Sequence, residues 1–113
     1  VLRGELFHNN IIITSGADDM IYSNVIASKS ANTMLSMAGI EAAFVITQNS
    51  AQKISISARS RSKINVQRIM EKLGGGGHFA VAACQLKDMT INPAQNLLME
   101  TIETDLAENK ETE

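Results

Sequence analysis

Four consecutive glycines, Gly74 to Gly77, followed by His78, constrain this chain more than any other stretch of it. Glycine loses more backbone freedom on ordering than any other residue. A run of four with apolar, periodic flanks therefore implies that something comes close to the backbone. The upstream pattern is helical and ends at Leu73, and the small-residue run from Phe79 to Ala83 predicts a new helix over 78–84. The first N–H groups of such a helix have no partner within it, and with no side chains in the way they can converge on an anion, most naturally a phosphate. His78 stands at the rim of that cradle. A flexible linker or an extended helix C-cap is the plainer account. Linkers, however, are polar on both sides, whereas these flanks grip the loop at both ends. The stretch has no Gly-Lys-Ser/Thr ending of a nucleoside-triphosphate loop, and no strand leads into a GxGxxG pattern. Any phosphate site here is of another kind.

A second hint precedes the glycines. In Lys53 to Arg59 the apolar residues Ile54, Ile56 and Ala58 alternate with Lys53, Ser55, Ser57 and Arg59, a strand with one packed and one polar face. Ser60, Arg61, Ser62 and Lys63 follow, with Arg68 just beyond. A guanidinium at a strand end can hold phosphate oxygens bidentately, although a solvated charged turn has the same composition. Asn65 is placed as an N-cap with Ile64 and Ile69 as a hydrophobic staple. Val66, Ile69, Met70 and Leu73 recur at helical spacing, predicting a helix over 65–73. The basic turn and the glycines thus sit at opposite ends of one helix, roughly 12 Å apart, a span that suits a dinucleotide.

The remaining chain completes an α/β pattern. Ile11, Ile12 and Ile13 read as a buried central strand, and residues 1–9 have no clear period. Ser15 and Asp18 have capping-box spacing, and apolar positions Ile21, Val25, Ala31, Met34, Leu35 and Ala38 predict a helix over 18–38 ended by Gly39. Ala42 to Thr47 is a second strand, Gln48 to Gln52 a polar turn, and Gln85 to Lys87 a short last strand. Asn92-Pro93 reads as a cap and first helical residue, opening a helix over 93–107 with Leu98, Ile102 and Leu106 on one face and a frayed acidic tail from about 108. The expected architecture is a small mixed sheet of about four to five strands packed with helices near 18–38, 65–73, 78–84 and 93–107.

Residues 1–113 are long enough for a single domain with a real core and too short for two ordinary ones. Beginning at Val1, the chain reads as a fragment of a longer protein. A net charge of −2 argues against a general nucleic-acid coat, though a local cluster can still bind one small anion. The single Cys84 has apolar neighbours and reads as a small buried residue rather than a nucleophile, in a reducing compartment. Asp18 and Asp19 read as first-turn carboxylates before they read as metal ligands. No run of eighteen apolar residues and no signal-peptide arrangement is present.

The order of strand, long helix, strand, strand ending in Ala58-Arg59-Ser60, capped helix and Gly-Gly-Gly-Gly-His resembles the DHH-associated domain of DHH-family phosphoesterases over nearly the whole chain. Leu35 to Ala42 with Phe44-Val45-Ile46, Ile56 to Ser60, and Ile64 to Gln67 through His78 are similar to the cyclic-di-AMP phosphodiesterases of the GdpP type. That resemblance implies a division of labour. A preceding DHH domain would hold two manganese ions that activate the attacking water, and this domain would close over the cleft and hold the substrate, the product being linear pApA. It further implies that Arg59 and Ser60 contact phosphate and that Gly74, Gly75, Gly76, Gly77 and His78 form the loop that receives it. Val81 stands where this branch often has Asn, which removes one polar contact to base or ribose. With only His8 and His78 and no DHH triplet, the fragment is expected to hold no metal and to hydrolyse nothing alone. The resemblance also implies a cytoplasmic segment of a membrane-anchored parent.

Two rival readings remain. A DHH-type nuclease for oligoribonucleotides would need a basic, aromatic-lined groove, for which three Phe, one Tyr and no Trp are poor material. A non-catalytic RNA-binding or dimerisation module, like the C-terminal domain of alanyl-tRNA synthetases, would use the helices over 18–38 and 93–107 to form a homodimer. Against it, the basic residues are confined to one turn.

Overall fold

The computed structural model describes residues 3–50 and 53–109. Six strands form one sheet in the order β1-β2-β3-β4-β6-β5, where β1 is Arg3–Phe7, β2 Ile11–Ser15, β3 Ala42–Ser50, β4 Lys53–Ser60, β5 Gly76–Gly77 and β6 Val81–Lys87. Three helices pack on it: α1 Asn24–Leu35, α2 Val66–Lys72 and α3 Ile91–Glu108. The parallel pair is β2 and β3, bridged by the α1 crossover, and the other neighbours are antiparallel. The α/β class matches the expectation, with six strands in place of four to five.

Period-two alternation divides the sheet into two faces. Ile11, Ile13, Phe44, Ile46, Ile56, Ala58, Ala82 and Cys84 face α2 and α3, whose Val66, Ile69, Met70, Leu98 and Ile102 complete the main core. On the other face Ala27 and Ala31 of α1 pack on Val45, and Ile12 and Ala43 meet Ile40, Met34 and Leu35. Two fully buried alanines are what let α1 lie close to β3. Its outer residues Val25 and Ile26, at 62% and 49% exposure, do not dock.

The helix expected over 78–84 is a strand. Along β6, Val81, Ala83, Gln85 and Lys87 are exposed while Ala82 and Cys84 are buried, a two-residue period. The alanines favour helix locally, but β4 presents a full open edge that β6 occupies in register from Lys53↔Lys87 to Arg59↔Val81. Pairing seven residues outweighs a propensity of a few tenths of a kcal/mol each. The glycines consequently precede a hairpin, and no helix N-terminus stands over them.

Helix boundaries shift for similar reasons. The span expected over 18–38 is helical only from Asn24, capped by Ser23, whose Oγ accepts from the Ile26 N–H at 3.2 Å. Ser15 belongs to β2, and Asp18 caps a different helix: its Oδ1 accepts from the Ile91 N–H of α3 at 2.8 Å. Thr90, not Asn92, is the residue before that helix, and it makes no side-chain cap bond. A long-range carboxylate has replaced the local signal that Asn92-Pro93 displays. Asn65 does cap α2 as expected, accepting from the Arg68 N–H at 3.0 Å. Residues 1–9 hold β1, which turns into β2 through His8 and Asn9 at positive φ of 59° and 65°. The turn residues Ala51 and Gln52, and the tail from 110, lie outside the described residues; α3 runs on to Glu108.

One ion-pair group fastens α2 to α3. Asp105, its side chain 1% exposed, accepts from Arg68 Nε and Nη2 at 2.6 and 2.9 Å, and Lys72 Nζ lies 3.3 Å away. Burial alone would raise the Asp105 carboxyl, but the hydrogen-bonded Arg68 and then Lys72 bring it below its ordinary value. A carboxyl depressed on folding stabilises the fold above the unfolded value, about 4, and that contribution is lost as pH falls through the folded value. Asp105→Ala is expected to cost on the order of 2 kcal/mol in urea denaturation at pH 7, because Arg68 can regain water. The wild type should approach the variant in stability as pH drops below about 4. Cys84 is buried and its thiol is pushed up to about 11 by desolvation. Thiol reagents at pH 8 should therefore label the folded chain far more slowly than the urea-unfolded chain, and equal rates would contradict this packing.

Candidate phosphate-binding site

The four glycines do not answer to one common demand. Gly74, at φ +86°, follows the C-cap Leu73 in the left-handed conformation that ends α2, and its N–H donates to the Glu71 carbonyl at 3.1 Å. Gly75 passes so close to β6 that a Cβ would lie 2.1 Å from the Ala83 carbonyl oxygen and 2.5 Å from Cys84 Cβ. Gly77, at φ +145°, would put a Cβ 2.5 Å from Val81 O and Ala82 Cα. Gly76 is different: it has no positive φ and nothing lies within 4 Å of where its Cβ would be. The fold accounts for three glycines and leaves one side of Gly76 open.

The hairpin that carries them is tied down at both ends of α2. Gly75 N–H donates to the Met70 carbonyl at 2.8 Å, and Val66 N–H at the other end of α2 donates to Phe79 O at 3.0 Å. His78 and Val81 close the turn reciprocally, with N···O distances of 2.7 and 3.3 Å. Ser60 N–H donates to Ala80 O at 2.9 Å, so the end of β4 holds the same turn. The side chain of His78 is exposed beside it.

Register determines what shares a face with Gly76. Gly76 pairs with Ala83, and Ala83 pairs with Ser57, so all three point to the α1 side, as does Arg59 two residues along. Arg59 lies opposite Val81, which is 48% exposed. Its Nε donates to Asn32 Oδ1 of α1 at 3.1 Å and its Nη1 to Ala58 O at 2.9 Å, which aim the guanidinium and leave Nη2 without a partner among the described residues. Burial lowers the Arg59 pKa from its ordinary value while an arginine remains charged at neutral pH. Two strand spacings and a two-residue offset separate Arg59 from Gly76, about 12 Å between Cα atoms.

Two neighbouring arginines are committed elsewhere. Arg61 donates from Nε to Ile40 O at 2.8 Å and from Nη2 to Leu35 O at 2.7 Å, satisfying the C-terminal end of α1. Arg68 belongs to Asp105. Ser60, grouped with Arg59 by the sequence, alternates to the opposite face; its Oγ is buried without a partner among the described residues. Asn32 was not legible as a site residue, since its place beside Arg59 depends on how α1 crosses the sheet. A cavity of about 760 Å³ lies on the α3 side, where Ser15 Oγ donates to Gln95 Oε1 at 2.9 Å and Asp18 Oδ1 accepts from the Ile91 N–H. Among the described residues no three His, Cys, Asp or Glu side chains gather to hold a metal ion, and no helix is long and apolar enough to cross a membrane.

The cyclic-di-AMP phosphodiesterase PdeA of Listeria monocytogenes is 52% identical over 99 residues, covering 88% of this chain and 15% of that protein. The cyclic-di-AMP phosphodiesterase GdpP of Geobacillus thermodenitrificans is 40% identical over 100 residues, again 88% of this chain and 15% of that protein. The chain therefore spans 15% of the length of these two relatives. The C-Ala domain of Aquifex aeolicus alanyl-tRNA synthetase superposes with a TM-score of 0.66 at 17% identity over 88% of this chain and 97% of that one, a likeness of fold alone. The DHHA1 domain model matches residues 9–108, and the chain belongs to the DHHA1 domain family.

Proposed function

We propose that this chain is the substrate-holding domain of a phosphodiesterase that converts cyclic-di-AMP to pApA. The observation that carries the reading is Gly76: its neighbours in the motif are glycine for reasons internal to the fold, whereas nothing among the described residues occupies its own open side. Arg59 lies on the same face, oriented by Asn32. In this reading one substrate phosphate rests against the backbone of β5, an edge strand whose outer N–H groups face no strand, and the other meets Arg59. The separation of about 12 Å is within the reach of a dinucleotide once the arginine extends. His78 and the partly exposed Val81 border the same edge, Val81 offering apolar contact where a polar one is common in this branch.

The residues described here do not fit a metal site, so no chemical step is routed through a metal held by them. The manganese ions and the activated water belong, in this proposal, to a DHH domain elsewhere in a membrane-anchored parent. This chain positions the phosphodiester. The cyclic-di-AMP phosphodiesterases among its relatives support the choice of substrate, whereas the shared fold of a tRNA-synthetase domain does not.

Calorimetric titration with cyclic-di-AMP, pApA and a short linear RNA tests the reading. Binding of the dinucleotides in the millimolar range or tighter is expected, with Arg59→Ala weakening it by about tenfold or more. Gly76→Ala should keep the wild-type melting temperature yet lose affinity, whereas Gly75→Ala should fold poorly because its Cβ would meet the backbone of β6. Unchanged affinity in Gly76→Ala, or a clear preference for the linear RNA, would overturn the assignment.

A further inference from the structure

The α1 side of the sheet continues past the candidate phosphate site. On this face β6 presents Val81, Ala83, Gln85 and Lys87, all exposed. Arg59 lies opposite Val81 and Gly76 opposite Ala83, so Gln85 is the next position in the same line, about 7 Å beyond Ala83. There the start of α1 meets the sheet around a cavity of about 240 Å³, lined by Tyr22, Ser23 and Asn24 from the segment that opens the helix and by Asn49, Lys53 and Gln85 from the strands. We infer that this cavity receives one adenine of the dinucleotide and that the carboxamides of Asn49 and Gln85 read its amino edge. The inference rests on the function proposed above and adds to it the residues that select the base.

Asn49 is aimed by an irregularity in the ladder. Gln48 pairs with Ile54 and Ser50 with Lys53, so the register shifts at Asn49. Shifts of this kind re-aim a side chain and are common beside binding sites. Asn49 Oδ1 is buried and has no hydrogen-bond partner among the described residues. A buried acceptor without a donor is costly, and a ligand that brings an N–H removes the cost. Gln85 is exposed, its carboxamide also without a partner among the described residues. A carboxamide sets a donor beside an acceptor, the complement of adenine N6 and N7, whereas guanine has the acceptor O6 where adenine has its amino group. Tyr22 supplies an aromatic wall. Its ring fills the space of a side chain at Gly16, where a Cβ would stand 2.6 Å from Cε1, and its backbone N–H donates to Gln48 O at 2.9 Å, so the ring is held at the cavity. Aromatic rings accept any base, which leaves the choice of base to the carboxamides. Lys53 stands directly opposite Lys87, and an anionic ligand relieves the repulsion between them. The volume is below the roughly 300–1,000 Å³ of pockets that enclose a drug-sized ligand, and suits one planar base with its ribose outside.

Calorimetric titration with pApA and with its guanine counterpart pGpG tests the inference on the wild type, Gln85→Ala, Asn49→Ala and Arg59→Ala. The wild type should bind pApA about tenfold or more tightly than pGpG, the discrimination of one good carboxamide pair. Gln85→Ala and Asn49→Ala should each reduce that ratio by about threefold or more through weaker binding of pApA, with the melting temperature of each variant measured alongside. A structural fault alone would weaken both ligands alike. Arg59→Ala should weaken both and keep the ratio. Binding of neither dinucleotide, or binding indifferent to Arg59→Ala, would overturn the proposed function and this inference with it. Arg59-dependent binding with no preference for adenine, or a preference that survives both carboxamide substitutions, would overturn this inference alone.

Discussion

The structure depends on a contact that only the absence of a side chain permits. Where Gly75 crosses β6, a Cβ would stand 2.1 Å from a carbonyl oxygen, inside any tolerable van der Waals distance. Because that atom is missing, the chain leaving α2 can lie directly against β6 and continue as β5, closing the sheet. The same closeness places Gly76 at an edge, with its open side toward the α1 face. The ordering entropy of four glycines is offset by backbone hydrogen bonds at both ends of α2 and by pairing to β6.

From that contact the organisation of the rest can be followed. α2 is hydrogen-bonded at its N-terminus to Phe79 and at its C-terminus to Gly75, so the helix and the hairpin form one connected body. Arg68 and Lys72 then tie this body to α3 through Asp105, on the face away from Arg59. The two faces divide their duties accordingly. One is apolar, holds Cys84 and carries the stability; the other keeps α1 to one side and exposes the polar residues of β6 beside Arg59. Basic residues that look alike in sequence separate on these grounds: Arg61 closes a helix end, Arg68 neutralises a buried carboxylate, and Arg59 retains a donor without a partner among the described residues.

Much of this was legible in the sequence, and the parts that were not share one cause. Strands β2, β3 and β4 and the helix capped by Asn65 declare themselves through local patterns that their final contacts reinforce. The stretch after the glycines does not, because Ala80, Ala82 and Ala83 favour a helix until β4 offers an edge to pair with. Asp18 likewise mimics a local cap for the segment that follows it, and serves α3 from 73 residues away in the chain. The four-glycine motif was read as a cradle for an anion, whereas strand β6 accounts for Gly75 and Gly77 and helix termination for Gly74. Non-local pairing is what the local reading could not supply. Pairing Ser60 with Arg59 as one phosphate contact overlooked that successive strand residues face opposite ways, and Asn32 entered the site only through the crossover of α1.

In the proposed function Gly76 and Arg59 form one binding face. Amide chemical-shift mapping during titration with pApA tests it most directly. The largest changes are expected on Gly76, Ala83 and Arg59 and on the side-chain amide of Asn32. Changes concentrated instead on Ser15, Gln95 and the start of α3, or on Arg68 and Phe79, would contradict it.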